Sequence, residues 1–246
     1  MSIAIKFENV AKSFSDHTFL TGGLKNYILN GMQASQFRRN HPVLDDVSFE
    51  IRQGSTVGFV GRNGAGKSTL LSLIADIIKP DSGKITVNGR VSSMLELGAG
   101  FHPDLSGREN IELYGVVLGF SRREVAKRYD AIVQFAELED HIDTPIRFYS
   151  SGMLARLGFA VISQLDPEIL LVDEVLAVGD HAFQAKCEDV IQRFRASGGT
   201  IVLISHAARD ITTLCDEAFL LENHRIAASG NPEEVMQRYL AATAPS

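Results

Sequence analysis

Residues Thr56 to Val60 form a short β-prone run that leads directly into GRNGAGKST, Gly61 to Thr69, and then into Leu70, Leu71, Leu73, Ile74, Ile77 and Ile78 at helical spacing. Strand, glycine-rich loop and helix in immediate succession commit the chain to an α/β layer, because such a helix packs back on the sheet that its strand enters. The loop fits G-x-x-x-x-G-K-[ST] through Gly61, Gly66, Lys67 and Ser68, with Asn63, Gly64, Ala65 and Thr69 completing it. Small residues let the backbone approach phosphates closely. The exposed N–H groups form a cradle, Lys67 neutralises β/γ-phosphate charge, and the Ser68 hydroxyl helps to hold Mg²⁺.

A second segment carries comparable chemistry. In YSSGMLARLGFAVISQLDPEILLVDE, Tyr149 to Glu174, a Ser/Gly turn, a helix and an acid-tipped strand follow one another. Ser150, Ser151 and Gly152 offer hydroxyl and backbone donors at a helix start, where the dipole favours a phosphate. The apolar run Ile169 to Val172 reads as a buried strand that delivers Asp173 and Glu174 to its C-terminal end, the edge at which open α/β sheets bind ligands.

Composition sets compatible bounds. A chain of 246 residues is long enough for one large or two small domains and buries roughly 70 to 75% of its unfolded surface. The net charge is −6 and the basic residues are dispersed, which argues against a nucleic-acid partner. Cys187 and Cys215 have no CxxC spacing and no attendant histidines, so they are expected in the core of a protein from a reducing compartment. MSIAIKFENV lacks the basic-then-apolar order of a signal peptide, and no run approaches the ~20 apolar residues that span a bilayer.

Along the chain, residues 3–10 and 47–51 alternate like half-buried strands, and PDSGKITVNG at 80–89 reads as turn, strand and turn. From about Ser106 to Gln164 the pattern becomes helical, with Val125, Tyr129, Ile132, Val133 and Ala136 along one face. Strands return at Ile169 to Val172 and Thr200 to Ser205, and a last helix near Pro232 to Leu240 is started by Asn231 and Pro232.

This set resembles the ATP-binding subunits of ABC transporters over nearly the whole chain. The resemblance rests on the loop at 61–68, the turn at 149–153, ILLVDE at 169–174, Asp180 and the Ser205-His206 pair, in that order. It implies a P-loop NTPase of ABC type, an α/β fold with a RecA-like core, an antiparallel β-subdomain and an inserted α-helical subdomain at about 104–164. The whole of 1–246 would be a single nucleotide-binding domain. It also implies a homodimer closing head to tail over two Mg-ATP, each signature turn (Ser150, Ser151, Gly152) completing the partner's site. By the same resemblance Asp173 acts on Mg²⁺ through water, Glu174 is the general base, His206 contacts the γ-phosphate, and Asp180 belongs to the loop linking the two sites. Without that context Asp180 reads as a helix N-cap.

Departures from the family pattern narrow it. The usual L-S-G-G-Q becomes Tyr149-Ser150-Ser151-Gly152-Met153, and MLELGAGFHPDLSGREN lacks the expected glutamine, for which Glu96 is the substitute, a surface acid being its other reading. LELGAGFHPDLSGRENI, RFYSSGMLARLGFAV and DEVLAVGDHAFQAKC resemble the branch that exports lipid-linked polysaccharides such as O-antigens, capsules and teichoic acids. Members of that branch often append a carbohydrate-binding domain; this sequence stops at Ser246, as a short form or a trimmed chain. The resemblance implies an ATPase at the cytoplasmic face of the inner membrane, joined through residues 95–120 to two copies of a separate transmembrane permease that moves a polyprenyl-linked glycan. An ABC transporter for another cargo and a soluble ABC ATPase outside transport are the alternatives.

A long connection, His17 to His41, separates the first two strands where the family usually has a short turn. Leu24, Tyr27, Ile28 and Met32 share one helical face, and Lys25, Arg38, Arg39 and His41 add positive charge, as in an amphipathic helix near the membrane face or nucleotide entrance, or in a solvated excursion. Phe14 sits where the family offers an aromatic platform for adenine; Tyr27 is its competitor, and a core phenylalanine is the structural alternative.

Overall fold

The computed structural model describes residues 2–15, 40–94, 98, 100–173, 181–205 and 207–243. Most of the 17–41 connection, with Leu24, Lys25, Tyr27, Ile28, Met32, Arg38 and Arg39, lies outside them. His41 is described, and it belongs to a strand.

The chain begins with β1 (Ile3–Ser15), β2 (Asn40–Arg52), β3 (Thr56–Val60), α1 (Lys67–Ile74), β4 (Ser82–Val87) and β5 (Val91–Ser93). Three helices follow, α2 (Gly107–Val117), α3 (Arg122–Ala136) and α4 (Ser151–Gln164), with a 3₁₀ turn at Ile146–Phe148 before the last. The remainder is β6 (Ile169–Val172), α5 (His181–Ala196), β7 (Thr200–Ile204), α6 (Ala208–Leu214), β8 (Glu217–Glu222), β9 (Arg225–Gly230) and α7 (Pro232–Thr243).

Two sheets result, an antiparallel one ordered β2-β1-β4 and a six-stranded one ordered β5-β6-β7-β3-β8-β9, parallel except for β9. Strict alternation divides the larger sheet between two cores. Ile169, Leu171, Val202, Ile204, Phe219 and Leu221 join α1 and the antiparallel sheet, while Leu170, Val172, Ile201, Leu203, Ala218 and Leu220 join the helices of the opposite face. Burial on both faces explains why these strands read as continuous apolar runs. Phe7, Phe49, Phe59 and Phe219 fill the first core, with neighbouring ring centroids 4.5 to 5.3 Å apart.

β1 and β2 run well beyond the predicted 3–10 and 47–51. Their register shifts between Phe7 and Val10 and again on either side of Lys12. Asn9 and Asp46 both take positive φ there, 49° and 54°, and Asn9 Nδ2 donates to Asp46 Oδ1 at 2.8 Å. Each bulge inverts which face a residue takes, so the period-2 signal stops where the strand does not. The predicted apolar helix through Ile78 also ends earlier, at Ile74. Asp76 turns left-handed (φ 58°), its N–H donates to Leu73 O at 3.2 Å, and Ile77 N–H donates to Ser72 O at 3.0 Å. That double closure satisfies the last carbonyls and leaves Ile77 62% exposed.

In the helical layer, Ser106 with Glu109 and Ser121 with Glu124 form reciprocal capping boxes at α2 and α3. Val125, Ile132, Val133 and Ala136 are buried as the spacing predicts, and Tyr129 is half-buried against the same core. The layer meets α5 through Phe135, Phe159 and Phe183, whose ring centroids lie 5.8 to 5.9 Å apart. Glu137 bridges the same junction by accepting from Arg156 and Lys186. α7 begins as predicted, with Asn231 Oδ1 accepting from Glu233 N–H at 2.9 Å, and extends to Thr243. Among the described residues no helix is long and apolar enough to cross a membrane.

Candidate functional site

Strand order assembles the site. β7 lies between β6 and β3, with Val172 level with Leu203 and Ile204 level with Phe59. Gly61, Asp173 and Ser205, each one residue beyond its strand, therefore emerge at the same C-terminal edge.

The glycine loop is held by its lysine. Lys67, the first residue of α1, is only 7% exposed, and its Nζ donates to Gly61 O at 2.7 Å and Arg62 O at 3.2 Å. Desolvation draws its pKa below the ordinary lysine value, partly offset by attraction to Asp173. The ammonium thus closes the loop on itself and keeps a poorly solvated positive charge at its centre. Gly66 has φ 105°, and a Cβ there would lie 2.6 Å from Val43 O. A Cβ on Gly61 would lie 2.3 Å from Leu221 O, so both ends of the loop admit only glycine against neighbouring backbone. Gly64 (φ 80°) has open space around it.

A cavity of about 440 Å³ opens over this loop, lined by Asn63, Gly64, Gly66, Lys67, Ser68, Thr69 and Asp173, and by Val43, Ile204 and Phe14. Phe14 is 45% exposed, which rules out the core reading of this residue. Of the predicted loop residues, Gly61 and Ala65 do not line this cavity, and Ala65 packs against the buried core. Val43 and Ile204 carried no site signal in the sequence: Ile204 reads as an ordinary strand residue, and Val43 falls between the long connection and the strand expected at 47–51. One carboxylate residue, Asp173, and two hydroxyl residues, Ser68 and Thr69, line the same space. That hard-oxygen donor set suits Mg²⁺ held jointly with substrate phosphates, and among the described residues no cluster of three or more His, Cys, Asp or Glu offers a self-sufficient metal site.

The Ser/Gly turn is built as a helix start. Ser150 caps α4 with φ −69° and ψ 162°, its Oγ accepting from Met153 N–H at 3.2 Å, and Ser151 is exposed beside it. A Cβ on Gly152 would meet only Ser150 Oγ, at 3.8 Å. Tyr149 anchors the turn from below, its hydroxyl donating to His141 O at 2.7 Å. None of the three turn residues is among the described residues lining the cavity. Beyond β7, Ser205 is buried, donates to Asp210 Oδ2 at 2.9 Å and accepts from Ala207 N–H at 3.0 Å. Glu96, Glu174, Asp180 and His206 lie outside the described residues. Both cysteines are buried free thiols, as predicted.

The loop that precedes α2 is stapled by one side chain that the sequence did not single out. Asn110 is fully buried; its Oδ1 accepts from His102 N–H at 2.7 Å, and its Nδ2 donates to the carbonyls of His102, Leu105 and Ser106 at 3.1, 3.0 and 2.9 Å.

Residues 44–177 match the family described as ABC transporter. The O-antigen export system ATP-binding protein RfbB of Klebsiella pneumoniae is 48% identical over 246 residues, 99% of this chain and 100% of that protein. The chain belongs to the ABC transporter ATP-binding subunits, in their O-antigen and teichoic acid export branch. The activity of this ABC subunit is ATP hydrolysis, as the family match and the full-length similarity show. The RfbB protein of Myxococcus xanthus is 44% identical over 97% of this chain and 56% of its own length. The teichoic acids export ATP-binding protein TagH of Listeria monocytogenes is 37% identical over 97% of this chain and 70% of its own. Among solved structures, an ATP-binding subunit of an ABC transporter superposes with a TM-score of 0.73 at 22% identity, covering 98% of this chain and 95% of its own. A dimeric ATP-binding cassette bound to ADP and Pi gives 0.71 at 20% identity, over 93% and 98%. At that identity the likeness shows that this ABC subunit shares their fold.

Proposed function

We propose that this ABC subunit is the motor of an exporter that moves a lipid-linked polysaccharide of O-antigen type across the inner membrane. The observation that carries the motor reading is the single cavity shared by Phe14, Lys67, Ser68 and Asp173. It offers an aromatic face for a base, a cation and N–H donors for phosphates, and oxygen ligands for Mg²⁺. The cargo reading rests on similarity to the O-antigen and teichoic acid export proteins.

In this reading residues 1–246 form one nucleotide-binding domain with an inserted helical subdomain at about 104–164. Phe14 stacks on adenine; Gly61, Asn63, Gly64, Ala65, Gly66 and Thr69 shape the phosphate cradle; Lys67 neutralises β/γ-phosphate charge. Mg²⁺ would be held by Ser68 and Asp173 and would supply neutralisation of phosphate charge, with Glu96 as the substitute for the family's loop glutamine. Glu174 accepts a proton from the attacking water while His206 contacts the γ-phosphate, so positioning and charge carry the transfer. Two copies close head to tail, each offering Ser150, Ser151 and Gly152 to its partner's γ-phosphate, with Asp180 between the sites. Contacts shared across the closed dimer favour it only while ATP is intact, and hydrolysis releases them. The loop at 102–106 and the start of α2 meet a separate permease, two copies per complex, which holds this chain at the cytoplasmic face.

The experiment for the motor is Glu174→Gln. With ATP this variant is expected to accumulate as a dimer with little turnover, measured by light scattering and phosphate release; a monomeric, fully active variant would overturn the assignment. Gentle purification of the tagged chain from membranes, followed by mass spectrometry, tests the cargo. A multi-span partner carrying a polyprenyl-linked glycan supports the reading, whereas a permease of another class sinks it.

A further inference from the structure

The end of β1 is fastened to one carboxylate. β4 pairs with β1 only as far as Ala11, opposite Ser82, and on the other side Ser13 faces Pro42, which has no N–H to give. At this point Asp81, the residue just before β4, takes over as partner. Its N–H donates to Ala11 O at 2.9 Å, its Oδ2 accepts from Ser13 N–H at 2.6 Å and Ser13 Oγ at 2.9 Å, and its Oδ1 accepts from Lys12 Nζ at 2.7 Å. The carboxylate thus takes one backbone N–H and two side-chain donors of β1 beyond the point where β4 stops pairing.

The next residue is Phe14. It lines the nucleotide cavity while remaining 45% exposed, and the Lys12 ammonium that Asp81 holds lies 5.6 Å from its ring centroid. Phe14 pairs with His41 on the β2 side, and on the β4 side the Asp81 carboxylate is the partner of the two residues that lead into it. Charge-assisted bonds to a carboxylate are the stronger kind, and the pairing with Lys12, then the two bonds from Ser13, hold the Asp81 carboxyl below the usual carboxylate range.

We propose that Asp81 is a positioning residue for base recognition: by fixing Lys12 and Ser13 it presents the Phe14 ring to the adenine, and so sets affinity for the base without touching nucleotide. This rests on the reading of Phe14 as the adenine platform. Asp81 acts on the base half of the ligand, because its bonds go to Lys12 and Ser13, whereas Lys67 closes the phosphate loop through Gly61 O and Arg62 O.

The test is calorimetric titration of the full chain with Mg-ATP and with Mg-tripolyphosphate, which has the phosphates and no base. The variants are Asp81→Asn, Phe14→Ala and the double. Asp81→Asn is expected to weaken Mg-ATP roughly three- to tenfold, the range of a lost aromatic contact, and to leave Mg-tripolyphosphate within about twofold. Unchanged tripolyphosphate binding also reports that the phosphate loop is folded. The double variant is expected to bind Mg-ATP no more weakly than Phe14→Ala. Equal losses for both ligands, losses that multiply in the double variant, or an unaffected Asp81→Asn beside a weakened Phe14→Ala each overturn the proposal. Should Phe14→Ala itself bind Mg-ATP normally, the platform reading falls and the proposal with it.

Discussion

Replacing Gly66 by alanine should destabilise the chain far more than the same change two residues earlier. At Gly66 an alanine would have to keep φ near 105°, and its Cβ would meet Val43 O at 2.6 Å, Leu44 Cδ2 at 3.0 Å and Val43 Cγ1 at 3.1 Å. At Gly64, φ is 80° and nothing lies within 4 Å of the added carbon. Positive φ costs an alanine about 1–2 kcal/mol at either site. The steric cost, about 1–3 kcal/mol for overpacking against structure that cannot yield, falls on Gly66 alone, because a backbone carbonyl moves only with β2. The totals are about 1–2 kcal/mol for Gly64→Ala and 2–5 kcal/mol for Gly66→Ala. For a chain of this size they correspond to Tm losses of roughly 2–8 °C and 4–20 °C. Thermal unfolding of the two variants without nucleotide, followed by circular dichroism, measures the difference directly. If Gly66→Ala unfolds at the temperature of Gly64→Ala or above it, the close packing of the loop against Val43 does not constrain the fold, and the steric reasoning is wrong.

Two further outcomes follow from the buried polar groups. Asn110→Ala strands the His102 N–H, while the carbonyls of His102, Leu105 and Ser106 each keep a backbone donor, and should cost about 1–3 kcal/mol with faster amide exchange confined first to the 102–106 loop; unchanged exchange there would contradict the staple. Burial pushes the thiols of Cys187 and Cys215 up to about 12 from an ordinary 9.0. Between those values the unfolded chain loses thiol protons that the folded chain keeps, so stability is fully present below about pH 9 and falls as pH rises towards 12. Urea titrations at pH 8 and 10.5 should show this loss, reduced in a Cys187→Ala, Cys215→Ala variant, and neither native thiol should react with a disulfide reagent at pH 8.

The chemistry written in contiguous residues was legible without coordinates. Gly61, Gly66, Lys67 and Ser68 carry their spacing with them, and a strand–loop–helix context is enough to give that spacing a shape. Ser150 before Met153 states its own helix cap, as Asn231 does for α7. The buried face of α3 could be read because 3.6-residue periodicity is a property of the helix alone. Other features were invisible for equally physical reasons. Bulges at Asn9 and Asp46 erased the alternation that would have marked β1 and β2, and a left-handed Asp76 ended α1 inside an unbroken apolar pattern. β8 is a continuous apolar strand whose place beside β3 follows from sheet order and from no local signal.

The sequence by itself determined which groups could handle phosphate, because that capacity lies in residue type and short spacing. Only the tertiary structure decided that Phe14, Lys67 and Asp173 share one cavity. The order β6-β7-β3 and the folding of the antiparallel sheet over α1 bring them together, and those pairings join residues far apart in the chain. Lys12 and Asp81, 69 residues apart, show why: the gain from such a contact appears only after the intervening chain has been ordered, so no local pattern announces it.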